Sequence, residues 1–207
     1  MPSKLIRYGG PAAMLGGVLY IATFGMVYLI YGIFAEQARG TFFGGQEFIY
    51  LFYAPMYVFL MLGAVGMYLR QRSYFGLTGR TGFYLTAFGL SLGAIGSAAI
   101  VVIGLVSGDE AALAAPIFAT HAISHFFYAT GSVLLGVATY RAGIFPKEAA
   151  VMMGVGPAWQ LALFLSGIDQ SYLLLLPPFI ITALAWTWLG YALVSEKETP
   201  VASAPAV

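Results

Sequence analysis

Six long apolar runs separated by short polar stretches organise this chain. They cover residues 11–34, 48–69, 81–106, 118–140, 149–168 and 172–194, and none contains Asp, Glu, Lys or Arg. A bilayer core is crossed by about 20 apolar residues in a helix, which pairs every backbone N–H and C=O inside its own segment. The pattern therefore predicts an all-α fold, an integral membrane bundle of six transmembrane helices in one domain over 1–195. Residues 196–207, rich in Pro, Ala and Ser, read as a disordered cytoplasmic tail.

Small residues recur at every fourth position within several runs. The fifth has Ala150, Gly154, Ala158, Ala162 and Ser166, the third Gly89, Gly93 and Ser97, and the first Ala13 and Gly17. That spacing lets helix backbones approach closely, which assigns most of the 26 glycines to packing in the bundle or between subunits. Pro55, Pro157 and the pair Pro177–Pro178 fall inside helices two, five and six and should kink them. Such kinks either shape the bundle or open a substrate site. An Arg-x-Gly triplet recurs at Arg7-Tyr8-Gly9, Arg80-Thr81-Gly82 and Arg141-Ala142-Gly143. Its position suggests three tandem helical hairpins, each with a basic residue at headgroup level and a glycine that turns the chain into the helix.

Charge sets the expected orientation. Lys4, Arg7, Arg70, Arg72, Arg80, Arg141, Lys147 and Lys197 fall on one side if the helices alternate, and only Arg39 on the other. Positive charge favours the cytoplasm, so both termini are expected inside a cell (cytoplasmic) membrane, with Glu36, Glu47, Asp109, Glu110 and Asp169 outside. The first run, of 24 residues, exceeds a signal-peptide core and no A-x-A site follows, so it is expected to stay as a helix. Charged residues make up 8% of the chain, against roughly 25% in soluble domains. No segment is basic enough to hold nucleic acid. Cysteine is absent, which excludes disulfides, thiolate catalysis and thiolate metal sites.

Two features carry candidate chemistry. Region 42–59 holds Phe42, Phe43, Phe48, Tyr50, Phe52, Tyr53, Tyr57 and Phe59, at the outer membrane boundary. It reads as an aromatic belt, or as a wall for a flat apolar ligand such as a quinone, pigment or lipid tail. Trp186, Trp188 and Tyr191 read as the inner belt. The second feature is His121 and His125, the two histidines of the chain. Spacing i, i+4 puts them on one face of helix four, which continues through Tyr128, Ser132, Gly136 and Thr139. The opposite face, Ile123, Phe126, Phe127, Val133, Leu134 and Val137, suits lipid.

Three readings of the pair compete. The imidazoles can simply hydrogen-bond to neighbouring helices. They can bind a divalent metal with a carboxylate, Glu47 if helices two and four are adjacent, or else Asp169. One of them can ligate a haem; the two cannot take opposite axial positions, because both project from one side of one helix.

Absences narrow the function. No lysine lies within a span, which excludes a retinal Schiff base, and no intramembrane carboxylate offers the usual ion relay. The expected class is a non-enzymatic membrane protein. It is either an accessory or structural subunit of a larger membrane assembly, joined to partner subunits or to itself, or a binder of apolar ligands. A metal- or haem-binding protein using the His pair and a small-solute transporter are the alternatives. Thr139-Tyr140-Arg141-Ala142-Gly143-Ile144-Phe145-Pro146-Lys147 and the opening Arg7-Tyr8-Gly9-Gly10 through Leu15-Gly16-Gly17 resemble small uncharacterised bacterial multipass proteins of about six helices. The resemblance implies a bacterial cytoplasmic membrane and no catalytic residue. Reporter fusions test the orientation: one at the C-terminus should be active in the cytoplasm, and one at residue 110 outside it.

Overall fold

The computed structural model describes residues 2–29, 46–107, 110–166 and 172–195. They form helices α1 (Pro2–Val27), α2 (Gln46–Gln71), α3 (Leu77–Ser107), α4 (Glu110–Ala142), α5 (Lys147–Leu165) and α6 (Tyr172–Ser195), with no strand among them. Each contains a segment long and apolar enough to cross a membrane, from 19 residues in α5 to 27 in α3. The all-α, six-helix architecture expected from the apolar runs is the one observed. Two helices start well before their runs, α1 at Pro2 instead of 11 and α4 at Glu110 instead of 118. Hydropathy marks only the stretch that matches the hydrocarbon core, whereas helical hydrogen bonding continues through the interfacial layers.

Consecutive helices pack antiparallel, and α1 against α6 closes them into a ring. The contact between α3 and α4 is the most extensive, and α2 touches α6 lightly across the ring. Glycines set the closeness of these contacts. A Cβ on Gly89 would lie 2.5 Å from the Tyr128 nitrogen and 2.7 Å from the Ser124 oxygen, and one on Gly82 would lie 2.5 Å from the Leu135 nitrogen. Backbones at that range let Ser124 Oγ donate to the Gly89 carbonyl across the helix pair at 2.8 Å.

The Arg-x-Gly triplets do not share the turning role expected of them. Gly9 lies inside α1, where a Cβ would come within 2.6 Å of Gly66 Cα, and Gly82 lies inside α3. Only Gly143 acts as a turn. It takes φ +65° just past α4, and its N–H bonds the Thr139 carbonyl at 3.2 Å, the left-handed ending that glycine permits. The resemblance among the three is one of composition, since two serve packing and one serves termination.

Polarity is distributed as lipid solvation requires. Thr23, Thr86, Ser97, Ser132, Thr139 and Thr182 are fully buried, while Ile95, Val102 and Val106 are 68%, 60% and 82% exposed. Lipid tails solvate apolar side chains as well as a core does, so hydrogen-bonding groups turn inward and aliphatic ones outward. Trp188 and Tyr191 are exposed as an aromatic belt demands. Trp186 is not part of that belt: it is fully buried, and its Nε1 donates to the Tyr128 hydroxyl at 2.9 Å. Two residues advance a helix by about 200°, so Trp186 and Trp188 face opposite ways.

Gly89→Ala should lower stability by about 1–3 kcal/mol, because its methyl would overlap fixed backbone. Gly25→Ala, where a Cβ meets nothing within 4 Å, should be neutral or raise stability by about 0.5–1 kcal/mol. Thermal unfolding of both variants in one mild detergent checks the contrast.

Candidate functional site

Side-chain size increases along α1, α5 and the inward face of α4 from one end of the bundle to the other. In α1 the inward series Gly9, Ala13 and Gly16 meets Gly66, Gly63 and Leu60 of α2, and then gives way to Tyr20 and Phe24. In α5 Gly156 abuts Thr182 of α6, and Gln160 and Phe164 follow. In α4 Gly136 and Gly131 precede Tyr128, His125 and His121. The α1–α2 contact closes tightly toward the end that carries Arg7 and Arg70, and rings hold these helices apart at the other, where α3 and α4 stay close through Gly93 and Gly96.

The space so created is a cavity of about 240 Å³. Phe24 of α1 lines it, with Tyr50, Tyr53 and Tyr57 of α2, His121, Ala122 and His125 of α4, Gln160 and Phe164 of α5, and Phe179 of α6. Spacing i, i+3, i+7 places the three tyrosines on one face of α2. The residues of 42–59 that were read as either belt or ligand wall thus divide: these three form an interior wall, while residues 42–45 and the side chains of 46–48 lie outside the described residues.

Rings meet at defined angles here. Phe24 stacks on Phe179 with centroids 3.6 Å apart, and its ring meets Tyr53 edge-on at 5.5 Å. His121 stacks on Tyr50 at 5.0 Å, with Tyr53 tilted 5.9 Å away. His125 lies 6.1 Å from Tyr128. The inner floor is hydrogen-bonded. Tyr20 donates to Gln160 Oε1 at 2.7 Å, and Gln160 Nε2 donates to Thr182 Oγ1 at 2.8 Å and to the Pro178 carbonyl at 3.0 Å. One amide thereby joins α1, α5 and α6 at the proline pair of α6.

Helix four presents the two faces expected of it. Tyr128, Ser132 and Thr139 are buried, while Ile123, Phe126 and Val137 are 40–50% exposed. His121 and His125 enter the same cavity. The hydrogen bonds to neighbouring helices proposed for them are not all made: His121 Nε2 is buried and has no hydrogen-bond partner. That nitrogen donates or accepts according to tautomer, and its hydrogen bond is unmet beside the cavity that His121 lines. Helices α2 and α4 are second neighbours in the ring, without the extended contact that the Glu47 pairing assumed, and the Tyr50–His121 stack bridges them. Glu47 stands one turn before Tyr50 in α2, with its side chain outside the described residues, as is Asp169 altogether. Among the described residues no three His, Asp or Glu come together.

No family model matches the chain, and no curated protein or solved structure is similar to it. The site rests on its geometry. Sequence reasoning passed over Gln160, although a lone amide within an otherwise apolar span was the signal for it. It also passed over Phe24, Phe164 and Phe179, which look like lipid-facing residues until the neighbouring helices are placed.

Gln160→Leu should destabilise the protein by about 1–3 kcal/mol, because it leaves the buried Tyr20 hydroxyl without its acceptor. Adding Tyr20→Phe should recover part of that loss. Unfolding of the two variants side by side checks the coupling.

Proposed function

We propose that this multipass membrane protein binds, without chemically changing, a small flat apolar ligand in the aromatic cavity. A ring bearing a carbonyl or hydroxyl, as in a quinone, fits best. The observation that carries this reading is the buried, unpartnered His121 Nε2 in a cavity otherwise walled by rings. A planar ring gains offset stacking among Phe24, Tyr53 and Phe179, and its oxygen supplies the hydrogen bond that His121 lacks. The volume, about 240 Å³, lies below the roughly 300–1,000 Å³ of drug-sized pockets and suits one ring. A haem macrocycle is larger than this space and would have to force the aromatic wall apart. With the basic end toward the cytoplasm, as the positive-inside rule directs, the cavity lies in the outer half of the membrane.

Purified protein should bind decylubiquinone saturably, read by quenching of its intrinsic fluorescence. His121→Ala should weaken binding by about tenfold, the value of one hydrogen bond of about 1.4 kcal/mol. Equal affinity in parent and variant would overturn the reading. Stoichiometric zinc or copper, lost in the His121→Ala/His125→Ala variant, would favour the metal reading with Glu47 or Asp169 as third ligand. Solute uptake by protein-bearing liposomes would favour a transporter.

A further inference from the structure

The outer surface of the bundle carries a second space, on the lipid side of α4 and α5 and toward the basic end. It is a groove of about 440 Å³ with Ala150, Gly154 and Ala158 along its floor, Val137 and Val155 on its walls, and Arg141 at its end. Val133 and Ala158 also line a further hollow of about 350 Å³ that runs on to Leu165, so the depression continues along the helix pair.

The glycine at its centre lies at the edge of the α4–α5 contact. The two helices touch at Gly136, where a Cβ would lie 2.7 Å from the Ala150 carbonyl oxygen. One turn on, a Cβ at Gly154 would meet nothing nearer than 3.5 Å, the Cα of Val133. That is ordinary contact distance, so the missing side chain lies at the edge of the helix contact and leaves the groove open beside it.

Its mouth is built for an anion. Arg141 lies in the last turn of α4 and Lys147 opens α5, with Nζ 5.3 Å over the Tyr140 ring. Among the described residues the acid next to them in sequence is Glu148, exposed in the first turn of α5, and neither cation forms an ion pair with it. Pro146 precedes α5 and supplies no side-chain cap to the first N–H groups of the helix. Uncapped N–H groups at a helix start favour an anion, and two cations flank them.

We propose that the α4–α5 groove is a binding site for an anionic phospholipid. The phosphate sits on Arg141, Lys147 and the start of α5, and one acyl chain lies over Gly154. Depth agrees with this. From Ala150 to Ala158 α5 rises about 12 Å, close to the roughly 15 Å of one hydrocarbon leaflet. A partner helix is the poorer occupant, because seating it here would bury two cations that have no carboxylate partner against apolar side chains.

Native mass spectrometry of the protein, released from detergent in the presence of phosphatidylglycerol or phosphatidylcholine, tests the site. The parent should retain phosphatidylglycerol preferentially. Arg141→Gln/Lys147→Gln should reduce that preference by about tenfold or more, since each cation near a lipid surface contributes on the order of 1 kcal/mol. Arg72→Gln, at the same end but outside the groove, should leave it unchanged. Gly154→Leu should lower retention of both lipids, because its Cβ reaches contact distance of the Val133 backbone and the rest of the side chain fills the groove. Equal retention of the two lipids by the parent, or an Arg72→Gln effect as large as that of the groove pair, would overturn the proposal. So would a dimer of the parent that Gly154→Leu dissolves, which would mark a second copy as the occupant.

Discussion

Close approach of helix backbones is the constraint on which the rest of this structure depends. Lipid tails satisfy apolar side chains as well as a protein core does, so burial alone does not drive these helices together. What remains is dispersion and hydrogen bonding at short range, and both need small residues at the crossings. The Gly9–Gly66 contact, the Gly63–Ala13 contact and the Gly89–Tyr128 contact bring main chains to distances a larger side chain would forbid. Polar groups exploit the same closeness. Ser124 reaches a carbonyl of the neighbouring helix, Trp186 joins α6 to α4 with one bond, and Gln160 joins α1, α5 and α6 with three.

Relaxing that constraint makes the cavity. Toward one end the glycines give way to Tyr20, Phe24, Tyr53 and Phe179, and helices that touch elsewhere are separated by rings. The rings stack on each other instead of interlocking fully, and a ring-sized space is left between them. The Gln160 network closes its floor and holds α1, α5 and α6 in register where the proline pair weakens the backbone ladder of α6. Placing His121 beside Tyr50 leaves its Nε2 without a hydrogen bond, which costs stability, as it does for the buried hydroxyls of Thr86, Ser97 and Ser132.

The chain by itself determined the six spans, their alternation and the inward face of α4. Each follows from a local rule: the length of an apolar run, the short connections between runs, and the i, i+4 spacing of His121 and His125. The tyrosine face of α2 was also written locally, since Tyr50, Tyr53 and Tyr57 share a helical face whichever neighbour they meet. Tertiary structure decided which neighbour that was. The closure of α1 on α6, the bridging of α2 to α4 by a ring stack, and the burial of Trp186 depend on the rotation of each helix about its own axis. An almost wholly apolar helix carries little pattern to fix that rotation, because lipid and protein are equally good surroundings for Leu, Val and Phe. The same ambiguity hid Phe24, Phe164 and Phe179 and gave one role to three Arg-x-Gly triplets that serve different ends. Only contacts between backbones distant in sequence, set by where the glycines of one helix meet those of the next, separate a cavity wall from a lipid-facing surface.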